Sequence, residues 1–260
     1  MPQLSRITIF PIKSLDGCDV SQAAVSDSGC LAGDRRFAIT GADGRIVNGK
    51  RCAGLHAIRA RWEDAGRSVE LSLAGNHSGR LDIEAETSTV AEWLSDALGQ
   101  PCRLARDERQ GFPDDTDAAG PTLISTATLR EVAGWFGGLS EAGARRRFRA
   151  NLEIDPAEPF WEDRLVADGR FSLGPVVWQA TGVCQRCVVP TRDPDTGERT
   201  AGFAKRFSRF REESLPGWSP RSRFDHFFRL AINTRLVSRP AVAAATIGDE
   251  LLLLGTGPAL

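Results

Sequence analysis

Two cysteines three residues apart, Cys184 and Cys187, have the clearest capacity for chemistry in this sequence. A Cys-x-x-Cys pair can bind zinc, form a redox-active dithiol or supply one thiolate to a bound metal centre. A structural zinc site needs a second pair of ligands. The three histidines, His56, His77 and His226, are isolated from one another along the chain. The sequence therefore does not favour structural zinc.

The residues around the pair also argue against a thioredoxin-like dithiol. Such a dithiol opens a helix, whereas the Val-Val-Pro segment at 188–190 indicates extended backbone. Arg186 places a positive charge beside Cys187, which favours the thiolate over the thiol. Two interpretations stay open, a thiolate ligand for a soft metal centre and a cysteine pair packed at a strand end. The spacing alone favours the packed pair.

Cationic and amide side chains stand at the ends of several predicted strands. They occur in the motifs Pro11-Ile-Lys-Ser14, Gly33-Asp-Arg-Arg-Phe37 and the arginine-rich segment 145–151, which ends in Asn151. Such groups bind a phosphorylated heterocycle through charge-assisted hydrogen bonds. Taken singly, each motif has a simpler explanation, because an arginine-rich stretch is usually a solvated face and a Pro-x-Lys-Ser corner is usually a turn. Only three of the 33 basic residues are lysines, so an anion site here would consist mainly of guanidinium groups.

The first hundred residues read mostly as short strands. Segment 6–10 alternates, segments 36–40 and 45–47 flank an Asp-Gly turn, segments 57–62 and 68–73 predict a second hairpin, and 81–84 predicts a further strand. One amphipathic helix follows, with a capping box predicted at Thr89 and Glu92 and an end at Gly99.

A polar stretch rich in Asp, Gly and Pro at 107–120 predicts a loop between two domains, 1–106 and 107–260. Beyond it, Thr128 and Glu131 predict the start of a helix, and 203–211 predicts a short basic helix. Segments 148–154, 170–173 and 176–180 predict strands, and 245–255 predicts a turn and a closing strand. The expected fold class is β-rich α+β.

Composition narrows the function classes. The net charge of −1 and the pI of about 6.3 predict neither a nucleic-acid partner nor an anionic membrane surface. No apolar run approaches the roughly 20 residues that span a bilayer. The start of the chain lacks the pattern of a secretory signal, and six scattered cysteines suit a reducing compartment. We expect a cytoplasmic protein.

Together these motifs resemble a known family. The chain is similar to MOSC proteins with an N-terminal β-barrel domain, the group that includes the mitochondrial amidoxime-reducing component and its bacterial relatives. The resemblance is carried by Pro11-Ile-Lys-Ser14, Gly33-Asp-Arg-Arg-Phe37, Phe148-Arg-Ala-Asn151, Ile247-Gly-Asp249 and, most specifically, the segment from Arg186 to the Asp-Pro-Asp-Thr-Gly block at 193–197. It implies an N-terminal β-barrel-like domain followed by a MOSC β-barrel domain with flanking helices.

The resemblance also implies roles for individual residues. Cys187 would be the molybdenum ligand and the catalytic residue, and Cys184 a neighbour rather than a ligand. The residues implied to contact the molybdenum cofactor, through its pterin, its phosphate or the surroundings of the metal, are Lys13, Ser14, Arg36, Ser125, Arg149, Asn151, Gln185 and Arg186.

Two functions follow from the resemblance. The first is a molybdenum-cofactor-binding oxidoreductase that reduces small N-hydroxylated compounds. The cysteine pattern contains no iron–sulfur motif, so its electrons would come from a separate electron-transfer protein. The second is a non-catalytic carrier of the cofactor or a sulfur-transfer binding module. An interaction module without a cofactor is the third possibility.

Overall fold

The structure is a computed structural model that describes residues 1–166 and 169–255. The strands are β1 (Gln3–Ile9), β2 (Cys18–Val20), β3 (Gln22–Ala24), β4 (Phe37–Gly41), β5 (Arg59–Glu63), β6 (Ser68–Leu73), β7 (Asn76–Asp82), β8 (Cys102–Arg106), β9 (Leu123–Ser125), β10 (Leu152–Asp155), β11 (Arg170–Leu173), β12 (Val176–Gln185), β13 (Arg229–Ser238), β14 (Ala244–Thr246) and β15 (Leu251–Gly255). The helices are α1 (Thr87–Leu98), α2 (Thr126–Gly134), α3 (Glu141–Phe148) and α4 (Phe203–Glu213). This content confirms the β-rich α+β class.

An eight-stranded sheet with the order β15-β11-β12-β13-β9-β10-β1-β2 carries the larger core. β1 enters it because its apolar residues are buried, with a register shift between Leu4 and Arg6 that brings both Leu4 and Ile7 to the core. Leu4 and Ile7 pair with Ile154 and Leu152 of β10, and all four side chains are buried. β3 pairs in turn with β14 near the other end of the chain. These strand pairs thus join residues on both sides of the domain boundary predicted at residue 106. The boundary itself stays a prediction.

A second core lies between residues 12 and 102. The pair β4–β8, the meander β5-β6-β7 and helix α1 bury Phe37, Val69, Val90 and Leu94 together. The hairpin predicted at 57–73 is confirmed as β5–β6. The hairpin predicted at 36–47 is confirmed in a short form, because the Gly41 N–H donates to the Arg45 carbonyl oxygen at 2.9 Å and the Val47 N–H donates to the Ile39 carbonyl oxygen at 2.8 Å. Residues 45–47 form only an isolated bridge, and β4 pairs along its length with β8.

Helix α1 ends as predicted and begins earlier than predicted. Gly99 adopts the left-handed conformation (φ 62°) that a helix C-terminus favours. The predicted capping box at Thr89 is wrong. Residues 82–86 already form a turn in which the Glu86 N–H donates to the Asp82 carbonyl oxygen at 2.8 Å, so the helix begins at Thr87.

A layer of helices covers one side of the large sheet. Aromatic side chains of the layer stack closely, with 4.3 Å between the ring centroids of Phe136 and Phe203. Helix α3 replaces the predicted start of a strand at 148. Ser140 caps its first turn by accepting from the Gly143 N–H at 3.0 Å, and Ala144 and Phe148 are buried one turn apart on one face. The arginine-rich segment is therefore largely helical. No helix in the described part of the chain is long and apolar enough to cross a membrane.

Candidate functional site

A cleft of about 420 Å³ collects residues from four stretches of the chain, 13–59, 110–122, 146–151 and 184–194. The loop predicted at 107–120, called the strap below, forms part of one wall. Most of the predicted site residues line this cleft, namely Lys13, Ser14, Arg149, Asn151, Gln185, Arg186 and Cys187.

Cys187 lies just beyond the end of β12, where the chain leaves the sheet. Its thiol is half-buried, and its Sγ accepts a hydrogen bond from the Val189 N–H at 3.4 Å. The Arg186 N–H donates to the Phe228 carbonyl oxygen at 2.9 Å, which anchors the segment before the cysteine. Cys184 also lines the cleft, with its thiol directed at the Gln185 carbonyl oxygen at 3.7 Å. Within residues 1–166 and 169–255, no three His, Cys, Asp or Glu side chains form a group suited to holding a metal ion.

The segment after Cys187 is shaped by the Asp-Pro-Asp-Thr-Gly block. Asp193 closes the turn because its carboxylate accepts from the backbone N–H groups of Asp195 and Thr196 at 2.9 and 3.1 Å. Gly197 has φ +75°, and a Cβ there would lie 2.5 Å from the Ala53 carbonyl oxygen. Only glycine allows this approach, so the block docks the cysteine-bearing segment onto the second core.

Arg147, which the sequence analysis missed, braces the same segment from α3. Its guanidinium donates to the carbonyl oxygens of Pro190, at 3.1 Å, and Arg192, and it lies 3.4 Å from the Asp193 carboxylate. Burial lowers the pKa of the Arg147 guanidinium, although Asp193 opposes this effect. Arg147 therefore positions the loop that carries Cys187.

A cluster of cations faces the strap across the cleft. The Lys13 ammonium donates to the Phe112 carbonyl oxygen at 2.7 Å and to the Asp114 carboxylate at 2.8 Å. Lys50 lies 3.4 Å from the same carboxylate. Burial lowers the pKa of Lys13. Burial raises the pKa of the Asp114 carboxyl group, but the charges of Lys13 and Lys50 outweigh this effect and hold the pKa well below its usual range.

Two guanidinium groups share the ring of Phe10. Arg149 lies 4.0 Å and Arg35 lies 5.3 Å from the ring centroid. Burial, together with the charge of Arg35, lowers the pKa of Arg149 to about 10. Burial acts to lower the pKa of Arg35 as well, but the adjacent Asp34 carboxylate more than offsets this effect, so the pKa of Arg35 is raised. An anion between these two side chains would relieve their mutual repulsion.

The structure does not place Arg36 in the cleft. Its guanidinium turns to Glu84, at 2.7 Å, and lies over the ring of Phe37. Arg35 lines the cleft instead. Arg35 has φ +48°, which reverses the chain just before β4 and sends the two neighbouring arginines to different sides. Arg35 is therefore the arginine of this motif that faces the cleft, and the cofactor contact predicted for Arg36 stays a prediction that its position does not support.

Ser125 is also outside the cleft. It is fully buried and caps helix α2, because its hydroxyl accepts from the Thr128 N–H at 3.1 Å. The same interaction corrects the capping box predicted at Thr128 and Glu131. Ser125 thus has a structural role as a helix cap, and its predicted cofactor contact stays a prediction that its position does not support.

Asn151 lines the cleft, but its side chain is hydrogen-bonded to backbone groups of the fold. Its amide donates to the Thr8 carbonyl oxygen at 3.1 Å, and its carbonyl oxygen accepts from the Thr122 N–H at 3.2 Å. The same oxygen lies 3.5 Å from the guanidinium of Arg35. Asn151 therefore ties β1 to the approach to β9 and supports Arg35. Ser14, with φ +77°, similarly accepts from the Gly49 N–H at 3.2 Å.

Several other cleft residues, including Asp16, Lys50, His56 and Asp114, were not singled out from the sequence. They follow no periodic pattern, so only the polar segment between the two domains pointed to one of them, Asp114. Asp34 also lines the cleft and belongs to the Gly33-Asp-Arg-Arg-Phe37 motif.

Unsatisfied donors show what kind of ligand the cleft fits. Among the described residues, no hydrogen-bond partner exists for the buried Nε and Nη2 of Arg186 or for the buried Nε atoms of Arg59, Arg147 and Arg192. All four side chains line the cleft. Buried donors without acceptors are costly, so the wall is suited to a ligand rich in anionic or acceptor atoms. A phosphorylated pterin cofactor has this chemistry.

The chain is similar to several molybdenum cofactor sulfurases. It is 29% identical to the enzyme of Drosophila grimshawi over 231 residues and 26% identical to that of Danio rerio over 246 residues. Each alignment covers 76% of this chain and 29% of the relative, so the chain spans less than a third of these proteins. The solved structure of the YuaD protein from Bacillus subtilis aligns over 96% of this chain and 94% of its own, at 12% identity and a TM-score of 0.39, which does not establish a shared fold.

Two family matches divide the chain between them. Residues 1–136 match the MOSC N-terminal beta barrel domain, and residues 117–233 match the MOSC domain. The two ranges overlap in the strap and the start of the helical layer. The chain belongs to the family of proteins that join a MOSC N-terminal beta barrel domain to a MOSC domain.

Proposed function

We propose that this protein binds the molybdenum cofactor in the cleft and reduces small N-hydroxylated compounds with electrons from a separate electron-transfer protein. One observation carries the proposal. The half-buried thiol of Cys187 shares a cleft of about 420 Å³ with the cations Lys13, Arg35, Arg149 and Arg186. A cavity of this size suits a cofactor with room for a small substrate.

The proposed roles follow from position. Cys187 would hold the metal through its thiolate, with Val189 and Arg147 fixing the loop around it. Lys13, Arg35 and Arg149 would bind the phosphate of the cofactor through charge-assisted hydrogen bonds. When bound, the cofactor supplies a metal centre that exchanges two electrons and accepts an oxygen atom.

The reaction also needs protons from the protein or from water. Reduction of an N-hydroxyl group cleaves the N–O bond, consumes two electrons and two protons, and releases water. Two titratable groups of the cleft wall are candidates to take part in proton transfer, Asp16 by holding a proton and His56 by accepting one. Burial raises the pKa of Asp16, so this carboxyl group holds a proton at a higher pH than a free aspartate. Burial lowers the pKa of His56, so its ring is uncharged at neutral pH.

A carrier function is the second candidate, and the names of the similar proteins support it. The relatives are named molybdenum cofactor sulfurases, and this chain matches less than a third of their length. A protein that matches only this part could bind the cofactor, or a sulfur-bearing form of it, without turnover. The same Cys187 and the same cations would serve.

Metal analysis tests the shared part of both proposals. Wild type, Cys187→Ala and Cys184→Ala would be produced in a host that makes the cofactor, and the molybdenum and pterin of each would be measured. We expect stoichiometric molybdenum in wild type and Cys184→Ala and a loss of at least about tenfold in Cys187→Ala, because only Cys187 is assigned as a ligand. Full metal in Cys187→Ala would refute the assignment.

Turnover then separates the two functions. Metal-loaded protein would be supplied with a reduced donor and a panel of amidoximes and N-hydroxylated bases. Formation of the corresponding amidines or amines supports the reductase. Saturated metal without turnover on any substrate supports the carrier. Wild type without molybdenum leaves the interaction module as the best account.

A further inference from the structure

The strap is fastened to the rest of the protein at several backbone positions. The Phe112 N–H donates to the Arg35 carbonyl oxygen at 2.9 Å, and the Gly120 N–H donates to the Thr234 carbonyl oxygen at 3.0 Å. The buried thiol of Cys30 donates to the Ala119 carbonyl oxygen at 2.9 Å. These contacts hold the strap along the cleft wall.

Gly111 shows how closely the strap approaches this wall. It has φ +64°, and a Cβ there would lie 2.8 Å from the carbonyl oxygens of both Asp34 and Arg35. The strap therefore lies directly on the turn that presents Arg35 to the cleft.

Asp114 stands in the middle of the strap, at the cationic end of the cleft. Its carboxylate lies 2.8 Å from the Lys13 ammonium and 3.4 Å from the Lys50 ammonium. The side chain of Lys13 is 10% exposed, whereas that of Asp114 is 59% exposed. A cation buried to this extent needs a counterion, and here a solvent-facing carboxylate of the protein itself provides it.

We propose that Asp114 is an internal ligand that occupies the anion-binding cluster of Lys13, Lys50 and Arg35 until a phosphate-bearing ligand displaces it. The inference rests on the proposed function, since that function assigns two members of the cluster, Lys13 and Arg35, to the phosphate of the cofactor. It adds a regulatory element, because a ligand binds only after the strap carboxylate has left.

Charge decides the direction of the exchange. A carboxylate and a phosphate cannot occupy one cluster together without strong repulsion at these distances. A phosphate monoester carries more negative charge than a carboxylate and offers three acceptor oxygens to the cations. Lys13 keeps its hydrogen bond to the Phe112 carbonyl oxygen when Asp114 leaves, so the ammonium stays in position. The observed affinity for the phosphate is therefore reduced by the fraction of protein in which Asp114 occupies the cluster.

Titration with inorganic pyrophosphate tests the exchange without molybdenum. Isothermal titration calorimetry would compare wild type with Asp114→Asn and with Asp117→Asn, a matched change of charge on the strap outside the cleft lining. We expect Asp114→Asn to bind pyrophosphate about two- to fivefold more tightly, in the range of a partly exposed ion pair that no longer competes. Asp117→Asn is expected to bind as wild type does. Unchanged or weaker binding by Asp114→Asn, or no binding by any of the three proteins, would overturn the proposal.

A second measurement uses only the wild-type protein, so it does not depend on the folding of a variant. Hydrogen exchange followed by mass spectrometry would monitor peptides that cover 110–120 with and without pyrophosphate. Displacement of Asp114 predicts faster exchange in this segment while the rest of the cleft becomes protected. Slower or unchanged exchange would contradict the displacement. Loss of molybdenum binding in the metal analysis leaves these results untouched, so the two proposals fail separately.

Discussion

Replacing the buried Glu162 by glutamine is expected to stabilise the protein at alkaline pH and to change little in acid. Glu162 is 1% exposed and lies beneath the start of α2, where its carboxylate accepts from the Thr128 hydroxyl at 3.1 Å. Among the described residues, its other carboxylate oxygen finds no hydrogen-bond partner. Burial, followed by the charge of Asp163, raises the pKa of Glu162 from 4.5 to about 7.

The direction of the pH dependence follows from this pKa. The folded protein holds the Glu162 proton more tightly than the unfolded chain, so the contribution of Glu162 to stability is complete below pH 4.5 and is lost as the pH rises toward 7. One pH unit corresponds to about 1.4 kcal/mol, so the loss between pH 5 and pH 8 is about 2 to 3 kcal/mol. Glu162→Gln keeps the shape and an acceptor oxygen but cannot ionise.

Urea denaturation at pH 5 and pH 8 measures the effect. The stability of Glu162→Gln relative to wild type is expected to increase by about 2 to 3 kcal/mol between these two pH values. Glu158→Gln is the matched control, because Glu158 is half-exposed and pairs with Arg164 at 2.7 Å. A stability difference for Glu162→Gln that is the same at both pH values would refute the assignment of a protonated carboxyl group.

Three further predictions concern the cleft. Gly197→Ala is expected to cost about 2 to 4 kcal/mol in urea denaturation, because the added Cβ meets backbone. Gly44→Ala, at a similar φ of +74° with open space around it, is expected to cost only about 1 kcal/mol, and equal costs would contradict the docking of this turn. Arg147→Met is expected to lose about 3 kcal/mol of stability and most of its molybdenum, measured on the same preparation, since the loop around the metal ligand loses its brace. Arg35→Ala is expected to weaken pyrophosphate binding about tenfold in calorimetry while Arg36→Ala leaves it unchanged, and the reverse order would refute the proposed anion-binding role of Arg35.

Several parts of this protein were predictable from local sequence. The hairpin β5–β6 follows from alternation around a polar turn, and the end of α1 follows from Gly99. Turn chemistry at Asp193 depends on hydrogen bonds within four residues, so its motif predicts its geometry. The motifs also indicated the family, which the two family matches show.

Side-chain direction was not predictable where a single backbone angle decides it. The pattern Gly33-Asp-Arg-Arg-Phe37 indicates two cations before a strand, but only the left-handed conformation of Arg35 shows which one faces the cleft. Ser125 likewise carries the residue type of both a ligand contact and a helix cap. The position of the first turn of α2 selected the cap.

The sequence by itself determined the elements that short-range interactions specify, and its resemblance to a family directed attention to the thiol of Cys187. The tertiary structure decided what surrounds that thiol. It placed β1 beside β10 across nearly 150 residues, turned the arginine-rich segment into α3, and brought the carboxylate of Asp114 to Lys13. Such pairings depend on burial and charge between distant segments, and no local pattern contains that information.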